Sequence, residues 1–309
     1  MPRLLPSSGS RRDRAPRVTP RDSTHAGGSA TSGVPGALRA LGVRPSRRLG
    51  QNFLMDPRVA ERIASLVEDP NETVVEIGPG LGALTERLLA RRRSVVAVEL
   101  DARLAEALEL RLAANGSARV VRGDVLDQRL EQLVPGPARV TIVANLPYSI
   151  TTPAIEWVLA QGPRVRRAFL MVQREVADRM TATPGGKEFG SLAVFLALHA
   201  EVEPMFRVSP GAFHPRPDVD SVVVQVTPRS YPGTTEEERA RVERLARAAT
   251  TGRRKTVANA LARGMDVDPE AVRRLLIRAG IDPVRRGETL SVDEWLQLAR
   301  VWSEGDGRS

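Results

Sequence analysis

The chain has no cysteine, two tyrosines and three histidines in 309 residues, and Lys187 and Lys255 are its only lysines. Without cysteine there is no disulfide framework, no thiolate metal site and no cysteine nucleophile. Such a composition suits a reducing compartment, so a cytoplasmic location is expected. His199 and His214 are too isolated to read as metal ligands, and no metal is expected. No run of 18 apolar residues occurs, so no membrane span is expected. No apolar stretch near the start has the character of a secretory leader.

What is present is arginine. The formal net charge is +9 and the isoelectric point about 11.0. Arginine gives planar, two-pronged contacts to phosphate and stacks on bases. The charge is unevenly spread: residues 1–48 carry ten arginines against two aspartates, and residues 239–286 carry twelve arginines and Lys255 against five acids. Two concentrated basic blocks are the layout expected of a polyanion grip.

Residues 1–43 are rich in Arg, Ser, Gly and Pro and poor in large apolar residues. They are expected to form a disordered basic tail, because they cannot bury enough surface to offset the entropy of ordering. The composition is also that of an organelle transit peptide, although a basic bacterial tail is preferred. From Pro57 onward strand and helix patterns alternate. Thr73–Ile77, Ser94–Val98, Val120–Val121, Val140–Ala144 and Ala168–Val172 read as strands, with helix-spaced apolar residues between them. This rhythm predicts an α/β fold with a doubly wound parallel sheet. Ser221–Val226 adds one more strand. After Pro228, Pro232 and Gly233 the pattern is helical over 236–250, 255–263, 268–279 and 291–302. The expected division is therefore 44–229 for the α/β domain and 230–309 for a small all-helical domain.

Gly78-Pro79-Gly80-Leu81-Gly82 follows the first of these strands and opens a helix. Glycines let backbone approach a ligand closely, and a helix N-terminus offers free N–H groups. Glu99 stands at the end of the second strand, where a carboxylate can take both hydroxyls of a ribose. That pair alone fits NAD nearly as well as S-adenosylmethionine. Two features favour the latter. Asp124 follows the third strand and can accept from an adenine amine. The fourth strand ends in Asn145-Leu146-Pro147-Tyr148, which has no task in hydride transfer. Glu76, Gly78, Glu99, Asp124 and Asn145 thus fall at or near strand C-terminal ends, where open α/β sheets bind ligands.

Methylating the exocyclic amine of a planar base is chiefly a matter of positioning. The amine lone pair is delocalised into the ring, and acceptors aimed at its two hydrogens draw it out of conjugation. The side-chain carbonyl of Asn145 and the backbone carbonyl of Leu146 are suitable, Pro147 stiffens the turn, and Tyr148 offers a ring face worth about 1–3 kcal/mol in stacking. The amine becomes acidic as it is methylated, so no strong base is needed. In Phe213-His214-Pro215-Arg216-Pro217 two prolines hold the chain extended, so that Phe213 can serve as a second wall for the base.

These segments resemble the rRNA adenine N6,N6-dimethyltransferase family, in its small-subunit, KsgA-type branch. The resemblance runs from about Arg47 to Trp302. It rests on Gly50-Gln51-Asn52-Phe53-Leu54, Glu76-Ile77-Gly78-Pro79-Gly80, Val98-Glu99-Leu100-Asp101, Asn145-Leu146-Pro147-Tyr148, Phe213 to Ser221, Arg253-Arg254-Lys255-Thr256 and Gly280-Ile281-Asp282-Pro283. Ala144 and Ser149 depart from the usual Gly and Asn flanking the motif. The resemblance implies a Rossmann-like class I methyltransferase sheet and S-adenosylmethionine as cofactor. It implies that Asn52, Leu54, Gly78, Glu99, Asp124 and Asn145 line the donor site, and that Asn145, Leu146, Tyr148 and Phe213 hold a flipped adenine. It further implies methylation of two adjacent adenosines in a hairpin loop near the 3′ end of small-subunit rRNA, within a pre-ribosomal particle. Phosphate contacts are expected from Arg253, Arg254 and Lys255, together with Arg273 and Arg274, and a monomer is expected. Three alternatives stay open: an Erm-type enzyme acting on large-subunit rRNA, a non-catalytic assembly factor on the same fold, and a DNA adenine methyltransferase, the last disfavoured.

Overall fold

A computed structural model describes residues 33–46, 50–91, 94–250 and 255–305. The elements begin with helix α1 (Val34–Ala40), the two-residue strand β1 (Phe53–Leu54) and α2 (Pro57–Ser65). An alternating stretch follows: β2 (Thr73–Ile77), α3 (Ala83–Arg91), β3 (Ser94–Glu99), α4 (Ala102–Leu112), β4 (Ala118–Arg122), α5 (Leu130–Leu133), β5 (Val140–Asn145), α6 (Thr151–Ala160) and β6 (Val165–Gln173). Next come α7 (Arg174–Met180), α8 (Ser191–His199), β7 (Ala200–Val208), β8 (Phe213–His214) and β9 (Ser221–Pro228). Helices α9 (Glu236–Thr250), α10 (Val257–Met265), α11 (Pro269–Arg278) and α12 (Val292–Gly305) end the chain.

Seven strands form one sheet in the order β4-β3-β2-β5-β6-β9-β7. The first five are parallel, and β9 runs antiparallel to both β6 and β7. The expected parallel sheet is thus extended at one edge by an antiparallel pair. Alternate residues of the β-branched runs feed opposite faces. Val75, Ile77, Val96, Ile142 and Leu170 pack with Leu130, Ile155, Val158 and Leu196 of α5, α6 and α8. Val74, Val95, Val143, Phe169 and Met171 pack with Ile63, Leu84 and Leu88 of α2 and α3. Burial on both faces explains why these strands read as continuous apolar runs.

Edge strand β7 had no such signature: Glu201 and the stretch Glu203–Met205 are exposed, and Pro204 sits at an irregularity in its pairing. Charge and proline are what an unpaired edge tolerates. Helix α8 is apolar all round because it is covered on both sides. Its Leu192 and Leu196 face the sheet, while Ala193, Val194 and Leu198 join Leu245, Leu261, Trp295 and Leu298 of α9, α10 and α12. The C-terminal helices therefore share their core with α8 and do not enclose one alone.

The basic tail expected over residues 1–43 needs correction at its C-terminal end. Residues 34–40 are helical, and Leu38 and Val43 are buried against Phe53 and Leu104. Arg103 fixes the exit from α1 by donating to the Gly42 carbonyl at 2.6 Å. Val34, Leu38, Leu41 and Val43 dock this apolar end of a stretch whose composition over residues 1–43 as a whole is polar. Residues 1–32 lie outside the described residues.

At the end of the sheet opposite the strand C-termini, Glu72 is buried just before β2. It accepts from the Thr141 hydroxyl of β5 at 2.6 Å and sits 3.3 Å from the Arg166 guanidinium and 4.0 Å from that of Arg167 on β6. One carboxylate thereby ties three strands. Glu72→Ala would leave a fully buried Thr141 hydroxyl without its acceptor and two arginines without their counter-charge. It should cost about 2–4 kcal/mol, read as a lowered urea midpoint with an unchanged slope.

Candidate active site

The chain leaves β2 in one direction through β3 to β4 and then returns to lay β5 on the other side of β2. Strand order reverses there, which opens a crevice at the strand C-termini. The glycine turn after β2 lies in the left-handed region, with φ of +66° at Gly78, +56° at Gly80 and +77° at Gly82. A Cβ on Gly80 would sit 3.0 Å from the Phe53 ring, and one on Gly82 would lie 2.6 Å from Leu108 and strike Arg111. A Cβ on Gly78 would meet nothing within 4 Å. Gly80 and Gly82 are therefore glycine for packing, whereas Gly78 keeps open the space before it.

Glu99 fastens this turn. Its Oε2 accepts from the Gly80 N–H and its Oε1 from the Asp101 N–H, both at 2.9 Å. Burial raises its pKa above the usual carboxylate range, and the backbone N–H groups at Asp101 and Gly80 oppose that rise. Asp124 caps the short turn Val125–Asp127 by accepting from the Leu126 N–H at 2.9 Å. That turn is pinned to α6, because Trp157 donates to the Gln128 carbonyl at 2.8 Å and the Leu130 N–H donates to Gln161 at 3.2 Å.

The Asn145 side-chain amide donates through Nδ2 to the Asn52 carbonyl at 2.9 Å, which turns its oxygen the other way. The Leu146 N–H donates to the Met171 carbonyl. The Pro147 carbonyl is taken by Ile150 and Thr151. Among the described residues nothing donates to the Asn145 side-chain oxygen or to the Leu146 carbonyl, so two acceptors stand free side by side. Phe213 of β8 pairs with Leu54 of β1 and is 3% exposed. It belongs to the core against α2 and also forms part of the cavity wall.

One cavity of about 130 Å³ brings together Asn52, Leu54, Gly78, Glu99, Asp124, Asn145, Leu146 and Phe213. The Tyr148 ring lies outside the described residues, as do Arg253 and Arg254. Lys255 is exposed and lies elsewhere, in a second concavity with Arg244, Arg247 and Arg263 of α9 and α10. Arg273 pairs with Glu270 on the surface of α11.

Sequence reasoning noted Glu76 at a strand end without assigning it to the site. It is 2% exposed, lines the cavity, and its Oε2 has no hydrogen bond. Burial, with repulsion from Glu99 adding to it and Thr85 opposing, pushes its pKa up to about 8. The available signal was an acid inside an otherwise apolar strand, Thr73-Val74-Val75-Glu76-Ile77. Gln51, Phe53, Leu100 and Met171 also line the wall.

The charged side chains lining this cavity are Glu76, Glu99 and Asp124, with no Lys, Arg or His among the described residues. A dinucleotide would bring its pyrophosphate anion into an acidic site. The cavity fits S-adenosylmethionine better, since that molecule carries a sulfonium, an ammonium and a ribose diol. Gly78 provides the open cradle and the Glu76 oxygen an unanswered acceptor.

The family described as ribosomal RNA adenine dimethylase matches residues 43–304. A ribosomal RNA small subunit methyltransferase A of Moorella thermoacetica is 43% identical over 282 residues, covering 88% of this chain and 98% of its own. The protein of the same name in Geobacter metallireducens is 42% identical over 268 residues, covering 85% and 98%. Among solved structures, the 23S rRNA methyltransferase ErmE is 29% identical with a TM-score of 0.60, over 82% of this chain and all of that one. A dimethyladenosine transferase from Plasmodium falciparum, at 23% identity, has a TM-score of 0.68 over 82% and 98% and speaks for the fold alone.

The glycine geometry separates two kinds of substitution. Gly78→Ala should fold with a loss of about 1–2 kcal/mol from its left-handed backbone, yet bind S-adenosylmethionine at least tenfold more weakly. Gly82→Ala should chiefly destabilise. Calorimetric titration of the donor beside a thermal melt distinguishes them, and equal donor affinity for Gly78→Ala and wild type would refute the assignment.

Proposed function

The chain belongs to the ribosomal RNA adenine dimethylase family, and from that premise we propose how its site works and on which RNA. It is a class I, S-adenosylmethionine-dependent methyltransferase that dimethylates N6 of adenine in ribosomal RNA. The substrate we assign is a pair of adjacent adenosines in a hairpin loop near the 3′ end of small-subunit rRNA, met in a pre-ribosomal particle by a cytoplasmic monomer. The observation that carries the small-subunit assignment is the near end-to-end likeness to proteins named for that subunit.

The donor supplies the electrophilic methyl group, and the chain's residues position the two reactants. Gly78 and Glu99 hold the donor's chain and ribose, Asp124 its adenine amine, with Asn52 and Leu54 closing the near wall. The Asn145 side-chain oxygen and the Leu146 carbonyl accept from the target amine, so its lone pair turns toward the donor. Asn52 orients the Asn145 amide and thus couples the donor wall to the acceptor pair. Phe213 and Tyr148 stack against the base. A base inside a paired helix cannot reach this cavity, which favours a loop whose nucleotides splay out.

The second concavity supports an RNA partner: Arg244, Arg247, Lys255 and Arg263 offer four cations for backbone phosphates. Arg247 also pairs with Glu156 of α6 at 3.7 Å, which joins this face to the helix following Asn145. We assign Arg253 and Arg254 to the same grip.

Labelled S-adenosylmethionine offered with immature small subunits, large-subunit rRNA or duplex DNA tests the substrate. Label is expected on the small subunits and should fall by at least a hundredfold in Asn145→Ala, whose melting temperature should stay near wild type. Label confined to large-subunit rRNA would overturn the assignment, and tight subunit binding without label would favour an assembly factor. Changing Arg244, Lys255 and Arg263 together to glutamate should weaken subunit binding and reduce its salt dependence, leaving donor affinity unaltered.

A further inference from the structure

On the reading that the cavity holds S-adenosylmethionine, we infer that Glu76 is the counter-charge for the donor's cationic end and releases a proton to solvent when the donor binds. Its carboxyl is enclosed on β2 between β3 and β5, two residues before the open space at Gly78. The ionisable groups that act on it or share its cavity are Glu99 at the end of β3 and Asp124 after β4, both acids. Thr85 of α3 and Val143 and Asn145 of β5 are uncharged. No cation among the described lining residues can neutralise it.

The contrast with Glu99 identifies which acid responds. Each Glu99 oxygen accepts a backbone N–H, which favours its charged form. Glu76 has only the Thr85 hydroxyl to oppose its burial, its Oε2 has no donor at all, and a buried carboxylate short of partners is costly. Without the donor the carboxyl is therefore held neutral near neutral pH, with a pKa of about 8. Arrival of a sulfonium or ammonium supplies the missing partner and lowers that pKa. Donor affinity should then tighten by up to about tenfold per pH unit as pH rises toward 8, and level off above it.

The test is calorimetric titration of S-adenosylmethionine into the full-length protein at pH 7, in phosphate and in Tris, whose ionisation heats differ. The wild type should release nearly one proton per donor bound. Glu76→Gln should bind more weakly, release almost none and lose the pH dependence. A melt without donor checks that this variant folds and gives a second readout. The folded pKa lies above the ordinary value of 4.5, so the contribution of Glu76 to stability is present below that value and lost as pH rises toward 8. Glu76→Gln should lack that decline. S-adenosylhomocysteine, which keeps the ammonium but not the sulfonium charge, identifies the partner: equal release points to the ammonium, and none points to the sulfonium. Heats independent of buffer, or release that survives in Glu76→Gln, would overturn the inference. Failure of the wild type to bind the donor at all would overturn the cofactor reading on which it rests.

Discussion

The pairing of β2 with β5 is the constraint on which the site depends. Their register runs from Thr73 opposite Val140 to Ile77 opposite Ala144. It sets the glycine turn beside the Asn145 turn at a common level. A slip of one residue would exchange the sheet's two faces, carrying Val75 and Ile142 out of one core and Val74 and Val143 out of the other. The register is therefore enforced by both layers of helices at once. Glu72 adds a polar lock at the far end of the same strands, where it touches nothing in the cavity. The strands can present strained turns and unpaired acceptors at one end because the other end and both faces are fixed.

The molecule separates its charges. Among the described residues, Arg244, Arg247, Lys255 and Arg263 gather in a concavity at α9 and α10, while the charged lining of the cavity is acidic. This division matches two ligands of opposite sign. A polyanion is attracted over long range to arginine and lysine side chains that water still reaches. A small cation is held at short range, where low dielectric strengthens each interaction. An arginine in the cavity would help neither, since it would repel the donor and lie too deep for a phosphate.

Much of this was legible in the sequence. Strands β2, β3, β5 and β6 announce themselves because burial on both faces demands apolar runs, and the strand ends then mark the crevice without any coordinates. The described members of the predicted donor and base set line one cavity. What was illegible has identifiable causes. Strand β7 carries glutamates and a proline because it is an edge. Helix α8 has no polar face because two layers cover it. Helix α1 follows a basic, polar stretch, and Val34, Leu38, Leu41 and Val43 distinguish it from the residues before it. The Asn145–Asn52 bond joins residues 93 apart, a separation no local pattern reports. Glu76 was visible as an acid in an apolar strand, but its missing partner became apparent only once its neighbours were known.

That missing partner bears on how the site tells donor from product. Methyl transfer needs no strong base, since the amine acidifies as it is alkylated, so the acids in the cavity are free to serve binding. Transfer removes the sulfonium charge and leaves a neutral thioether. If the sulfonium answers Glu76, the same step removes the reason for its ionisation, and the carboxyl regains its proton as the product loosens. If the ammonium answers it, product and donor are held alike, and release must be driven by exchange for fresh donor. An enzyme that places two methyl groups on each of two adenosines must change donor repeatedly. The position of one buried carboxyl relative to two cations on one ligand thus decides whether product departure is built into the chemistry or left to mass action.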